Sequence, residues 1–349
     1  YFFLKHKLPS ATKINAKLAI LLSTSGSLKE SKFVKLSYEN IFENSLSISK
    51  YLNLKSNDLS ITTLPLFYSY GLSVIHTHIF FDRKIVCNNY SLLQKEFWYL
   101  LEKYKITNIS FVPFSYEMLE KIGINRFNFS SLKFLTVAGG KLSEDLTKKF
   151  CTIFKKKKIN FYAMYGQTEA SPRISYIELK RLLKKPNSCG KAIPGGKITI
   201  NKADKDGIGE IIYQGKNIFK GYAQNRKECL VVKNIKKLNT GDIGCIDKEG
   251  DLFILGRKKR DIKVYGVRIN LDNLENNLKT ENFKIICHKY KNKLAILYES
   301  TNFDKKSILI RINKLTALRE QNLEFKKIYK FPRLKNDKID YKRLDKILK

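Results

Sequence analysis

Between Ile106 and Met164 short apolar runs alternate with amphipathic stretches, and this alternation constrains the fold more than any other feature of the chain. Ile106–Val112 (ITNISFV) reads as a buried strand and Ser115–Ile122 (SYEMLEKI) as the helix behind it. Lys133–Ala138 (KFLTVA) is a second strand, ending in Gly139-Gly140. Ser143 then caps a helix through about Lys157, with Glu144 and Asp145 in the first turn and lysines at the end, each complementing the helix dipole. Ile159–Met164 is a third strand that runs into a glycine turn. Strand, helix, strand at this spacing predicts an α/β domain, a parallel sheet covered by helices.

From about Pro186 the texture changes to short strands between glycine turns: KITI, GEIIYQG, DIGCID and KEGDLFILG. This predicts a small antiparallel sheet or barrel. After Gly256 comes a basic run, followed by a hairpin over Ile285–Tyr298 and a helix over Lys305–Leu318, which predict a small α+β domain. The boundary is placed near Lys258 and Lys259, giving a large domain 1–258 and a small carboxy-terminal domain 259–349.

With 43% hydrophobic residues, 22 Phe and 19 Tyr, the chain can build a sizeable core, which excludes disorder. The formal net charge of +35 invites a nucleic-acid reading, but the lysines are spread along the chain among Asn and Ile rather than gathered into a groove. No nucleic-acid partner is expected. No apolar run approaches the roughly 18 to 20 residues that span a bilayer, so no membrane insertion is expected. The opening residues YFFLKHKLP do not read as a signal peptide, and the six cysteines form no C-x-x-C pair; both predict reduced thiols in a cytoplasmic protein. His76 and His78 are two apart in a predicted helix and so do not share a face for a metal.

Three segments carry residue types suited to nucleotide chemistry. Thr24-Ser25-Gly26-Ser27, with Lys32 beyond, follows the apolar run LAILL and precedes a helix that Ser37 caps. Small hydroxyl residues and glycine let backbone N–H groups approach phosphate, and lysine adds a mobile positive charge; a Ser/Gly loop is as often only a loop. Tyr165-Gly166-Gln167-Thr168-Glu169 follows a strand of the predicted parallel sheet, at the strand end where ligands sit. There an aromatic can stack on a base and a carboxylate can hold Mg²⁺ with its waters. Thr240-Gly241-Asp242 and Gly256-Arg257 place an acid and an arginine on neighbouring strand ends, able to clasp a ribose diol; each also reads as an ordinary turn.

The order of these segments, completed by Lys263, Gly266, Arg268 and Ile269 and by Pro332, Asn336, Lys338 and Asp340, resembles the adenylate-forming (AMP-binding) superfamily. That superfamily includes acyl-CoA synthetases, luciferases and peptide-synthetase adenylation domains. LPLFYSYGL (Leu64–Leu72), Gly139-Gly140, CGKAIPG (Cys189–Gly195) and KGY (Lys220–Tyr222) add to the likeness, which spans essentially the whole chain. The resemblance implies a ligase that uses Mg-ATP to turn a carboxylic acid into an acyl-adenylate with release of pyrophosphate. The acyl group then passes to the thiol of CoA or of a carrier-protein phosphopantetheine.

Carried over residue by residue, the resemblance gives Lys338 and Lys263 catalytic roles and makes Thr24, Ser25, Gly26, Ser27 and Lys32 the phosphate site. Gly139, Gly140, Tyr165, Gly166, Thr168, Asp242 and Arg257 become the adenine and ribose site, Glu169 the Mg²⁺ ligand, and Lys259 the hinge of a mobile terminal domain. Tyr68 and Gly71 fall in the acyl pocket.

The chain departs from the family in the phosphate loop. Where the family continues Thr-Gly-Lys-Pro-Lys-Gly, this chain has Leu28-Lys29-Glu30-Ser31-Lys32-Phe33, with two glycines lost and a negative charge at Glu30. The terminal Asn-Gly-Lys is Asn336-Asp337-Lys338, with the lysine kept. An enzyme is expected, the alternative being a degenerate nucleotide-binding non-enzyme. Only 23 residues precede Thr24, fewer than in the family, so a missing amino-terminal part is expected. Amino-acid-activating members place Asp where Tyr68 stands, which tilts the expected substrate toward a small carboxylic acid without an α-ammonium group. Amino-acid adenylation for an acyl carrier protein is the runner-up.

Overall fold

The computed structural model describes residues 14–23, 32–124, 127–264, 267–278, 284–299, 303–316, 318–334 and 339–348. Its centre is a seven-stranded sheet in the spatial order Ile85–Val86, Ser60–Ile61, Asn108–Phe111, Phe134–Val137, Asn160–Tyr165, Ser175–Glu178, Lys191–Ala192. The first five strands are parallel, as the sequence pattern predicts. The last two are antiparallel. The reversal follows from chain length: only residues 166–174 separate Tyr165 from Ser175, too few for the crossover of a dozen or more residues that a parallel return needs.

The strand period of two sorts the side chains onto the two faces. Ile109, Phe111, Leu135, Val137 and Phe161 pack beneath helices Lys95–Lys103, Pro113–Ile122 and Glu144–Lys156, which bury Phe97, Leu101, Tyr116, Leu119, Phe150 and Phe154. Ser143 caps the last of these helices by accepting from the Leu146 N–H. On the opposite face, beneath helices Tyr38–Tyr51 and Ser69–Ile79, hydroxyls replace hydrocarbon. Tyr70 Oη lies 2.6 Å from Thr136 Oγ1, which donates to Ser110 Oγ at 3.0 Å. Linking these buried hydroxyls satisfies groups that would otherwise lose hydrogen bonds to water.

Strands Leu18–Ser23 and Phe33–Ser37 form an antiparallel hairpin, extended by Tyr222–Ala223. Ser37 ends it and caps helix Tyr38–Tyr51 in a reciprocal exchange with Asn40. The expected antiparallel unit is a four-stranded sheet ordered Lys197–Asn201, Gly209–Gln214, Leu238–Ile246, Leu252–Arg257. Thr240-Gly241-Asp242 is therefore not a turn; it lies within a strand, with Gly241 at φ +72 beside an irregularity in the pairing.

Beyond the strand pair Asp261–Val264 and Val267–Asn270, residues from Leu271 onward form their own α+β unit. Hairpin Ile285–Tyr290/Lys293–Tyr298 pairs in parallel with Leu323–Lys327, and helices Leu271–Leu278 and Lys305–Thr316 pack against it through Leu274, Leu278, Ile308 and Ile312. Half-buried Glu275 accepts the Cys287 N–H at 2.7 Å and pairs with Arg260.

Two expectations follow. Phe150→Ala empties a fully buried site between Tyr116 and Phe154 and should lower the unfolding free energy by about 3–5 kcal/mol in urea titrations. Burial pushes the Glu275 carboxyl up to about 7, against the pull of Arg260, so the folded chain keeps a proton the unfolded chain has already released. Its contribution to stability therefore declines as pH rises from about 4.5 to about 7. Glu275→Gln should reduce the fall in urea midpoint between about pH 5 and about pH 7.5 relative to the parent chain.

Candidate active site

The parallel strands all point their carboxyl ends to one edge, and several of the described motif residues lie there. Strand Phe134–Val137 leads into Gly139-Gly140, strand Asn160–Tyr165 into Gly166, and helix Ser69–Ile79 begins beside them. Ser69 Oγ lies 3.2 Å from Thr168 Oγ1, which ties that helix start to the turn Thr168–Ala170.

Two glycines are required at this edge. Gly139 sits at φ +87, and a Cβ there would lie 2.2 Å from the Tyr68 hydroxyl oxygen. A Cβ at Gly166 would lie 1.7 Å from the Pro172 carbonyl oxygen, so the chain after the turn folds back against the strand end. Gly71 lets its helix settle on the Leu64–Pro65 backbone, and Gly140 faces the Pro113 ring.

Tyr165, Asp242 and Arg257 are brought together from 77 and 15 residues apart along the chain. Asp242 and Arg257 are register partners on neighbouring antiparallel strands. The Tyr165 hydroxyl donates to Asp242 Oδ2 at 2.5 Å, and Arg257 Nε lies 3.1 Å from Oδ1. Asp242 is buried, and burial raises its carboxyl above the usual range while Arg257 and the phenol pull it back. Burial also holds the Tyr165 phenol well above its ordinary value, which keeps it a donor. Each carboxylate oxygen still has a lone pair to offer a hydroxyl, so the pair can accept a diol while Arg257 stays exposed beside it.

Glu169 occupies the next position along this edge. Its Oε1 accepts from the Tyr222 hydroxyl at 2.9 Å, and its carbonyl accepts the Phe219 N–H at 2.9 Å. Tyr222 pairs with Val34, so Glu169 is held against the hairpin whose strands flank the predicted phosphate loop. Lys32 is exposed immediately before strand Phe33–Ser37. Thr24, Ser25, Gly26, Ser27 and Lys338 lie outside the described residues. Lys259 falls in the turn Lys258–Arg260, and Lys263 pairs through its backbone with Arg268; the side chains of both lie outside the description.

Sequence reasoning passed over three residues here. Tyr222 was noted only as part of KGY, and Ser69 only within LPLFYSYGL, yet each touches a motif residue. Arg173 gave a faint signal as the lone base between Ser171 and Tyr176, and it is almost completely buried.

The family profile described as AMP-binding enzyme matches residues 5–223. The chain belongs to this family. Among curated relatives, the 2-succinylbenzoate–CoA ligase of Bacillus cereus (strain ATCC 10987 / NRS 248) is 29% identical over 249 residues, 68% of this chain and 49% of the relative. That of Listeria monocytogenes serotype 4b (strain F2365) is 29% identical over 243 residues, 70% of this chain and 50% of the relative. The chain thus spans about half the length of these relatives.

In fold, this AMP-binding chain is similar to O-succinylbenzoate coenzyme A synthetase (MenE) from Bacillus subtilis in complex with ATP and magnesium ion. The TM-score is 0.77 at 22% identity, covering 95% of this chain and 70% of that one. ATP-bound MatB from Rhodopseudomonas palustris gives a TM-score of 0.75 at 21% identity, covering 95% and 68%. The α/β architecture with its antiparallel and α+β units is that of adenylate-forming enzymes. No helix among the described residues is long and apolar enough to cross a membrane.

The contact between Gly139 and Tyr68 can be measured by a double-mutant cycle. Gly139→Ala should destabilise the chain by about 2 kcal/mol or more, from the positive φ and the clash together. Adding Tyr68→Phe removes the clashing oxygen and should recover part of that loss, appearing as a coupling energy of about 0.5–2 kcal/mol in chemical denaturation.

Proposed function

We propose that this chain binds Mg-ATP and a carboxylic acid and joins them as an AMP-forming acid–thiol ligase. The observation that supports it best is the Tyr165–Asp242–Arg257 cluster beside Glu169 at the carboxyl edge of the sheet. In this reading the Tyr165 ring and the Gly139-Gly140 and Gly166 turns receive the adenine, and Asp242 with Arg257 receives the ribose hydroxyls. The loop Thr24–Ser27 and Lys32 hold the β- and γ-phosphates. Glu169 suits a magnesium ion, which commonly takes one or two carboxylates and completes its shell with phosphate oxygens and water. Bound there, the ion would neutralise phosphate charge.

The substrate carboxylate oxygen attacks the α-phosphorus, the bond to the bridging oxygen breaks, and pyrophosphate leaves. A thiolate sulfur then attacks the acyl carbon, the bond from that carbon to the phosphate oxygen breaks, and AMP leaves. Neither step needs a protein proton donor at the reacting centre, so the residues act by position and charge. Lys338 on its flexible stem would bridge the carboxylate and α-phosphate in the first step. Residues 259–349, turning about Lys259, would present the Lys263 strand in the second. The named relatives favour CoA as the acceptor and an aromatic keto diacid as the acid; Tyr68 in place of an aspartate disfavours an amino acid. Carrier-bound pantetheine is the other acceptor this chemistry admits.

The test is acid-dependent exchange of labelled pyrophosphate into ATP, with 2-succinylbenzoate first among a panel of acids. Exchange is expected, and Lys338→Ala should reduce it by about 100-fold or more while ATP binding persists. Exchange that survives the substitution would remove Lys338 from the reaction. Glu30 in the phosphate loop motivates one other reading, a nucleotide binder without turnover. ATP binding with no exchange for any acid would establish that reading instead.

A further inference from the structure

Arg173 is 3% exposed, and no carboxylate among the described residues pairs with it. Its Nε has no hydrogen-bond partner. The guanidinium carbon sits 4.5 Å from the centroid of the Tyr70 ring, a cation–π contact that offsets part of the cost of burial. Its charge also bears on the Tyr51 and Tyr68 phenols, opposing the upward push of burial on each. A buried guanidinium facing three neutral phenols with a donor unspent is costly unless an anion arrives from outside the fold.

Its position is fixed by the same turn that carries the nucleotide motif. The Arg173 N–H donates to the Ala170 carbonyl at 2.9 Å, and its own carbonyl accepts from Asn217 Nδ2 at 2.8 Å. The tight packing of Pro172 and Arg173 on Gly166 holds this backbone against the end of strand Asn160–Tyr165. On the other side stands Tyr68, whose hydroxyl rests in the space Gly139 leaves. The guanidinium therefore lies between the nucleotide edge and the aromatic wall of the predicted acyl pocket.

We propose that Arg173 is a specificity residue that receives a second anionic group of the acid substrate, making this a site for diacids rather than for simple acids or amino acids. The inference rests on the ligase reading for which carboxylate is activated, but the selection itself is a property of binding. A planar guanidinium whose Nε is unspent, and whose other polar contact is the Tyr51 phenol, can offer a carboxylate a charge-assisted hydrogen bond in the geometry of its fork. The same positive charge repels an α-ammonium group, which agrees with Tyr68 standing where an aspartate would serve one.

The experiment compares acids that differ only in the second charge, using the full chain with AMP present. The pairs are 2-succinylbenzoate with 3-benzoylpropionate, and glutarate with its monoamide. Calorimetric binding should favour the diacid of at least one pair by about 10- to 100-fold. Arg173→Gln should shrink that preference to about threefold or less by weakening the diacid alone, and Arg173→Lys should keep part of it. Affinity for ATP should stay within about twofold in both variants, which a general loss of structure would not allow. Equal binding within both pairs by the unaltered chain overturns the proposal whether or not the variants fold, as does a preference that survives Arg173→Gln. Absence of pyrophosphate exchange with all four acids would count against the ligase reading and leave the binding result to decide the role of Arg173.

Discussion

The hydrogen bond from the Tyr165 hydroxyl to Asp242 joins two sheets of different construction, and the candidate site depends on it. Tyr165 ends the last parallel strand of the large sheet, and Asp242 lies inside the antiparallel one. Both groups are largely shielded from water, where a charge-assisted bond is strong and a broken one leaves a carboxylate uncompensated. Arg257 shares the load from the neighbouring strand without being buried itself. The register of the antiparallel sheet is thereby locked to the carboxyl edge of the parallel one: a slip of one residue would carry Asp242 to the other face.

Much of this was legible because the large sheet obeys simple periods. ITNISFV, KFLTVA and INFYAM became strands within a residue or two of their expected ends, and Ser143 and Ser37 cap the helices they were expected to cap. The Asp242–Arg257 pairing was legible too, because the turn at Lys248–Gly250 sets the distance between them. What escaped were residues whose environment contradicts their type. Lys35 reads as a solvent-facing strand residue, yet it is 2% exposed, its Nζ donating at 2.7 Å to the carbonyls of both Glu228 and Val231. Those acceptors lie almost two hundred residues away, so no local pattern announces them. Arg173 is hidden in the same way, and the antiparallel edge strands are too short to show a period.

A second junction lies after the antiparallel sheet. Asp272 accepts the Arg257 backbone N–H at 2.9 Å through one oxygen and Arg260 Nε at 2.7 Å through the other. Arg260 also faces the Tyr341 ring at 4.5 Å, so the start of the terminal unit and its last helix meet at one guanidinium. One carboxylate therefore couples Arg257, proposed for the ribose, to the segment proposed as a hinge. Rotation there would have to exchange charge-assisted bonds rather than slide along an apolar surface.

The hairpin has a consequence of another kind. Ser23 and Phe33 are paired across it, so the segment between them is closed by backbone hydrogen bonds that do not depend on its composition. The entropy of closing a flexible loop changes only slowly with its length. The same pairing would close a segment of other composition, and the residues within it set the charge offered to the phosphate proposed to bind there. For the role proposed for the segment containing Leu28–Lys32, nucleotide affinity is the observable that bears most directly on its departures from the family pattern.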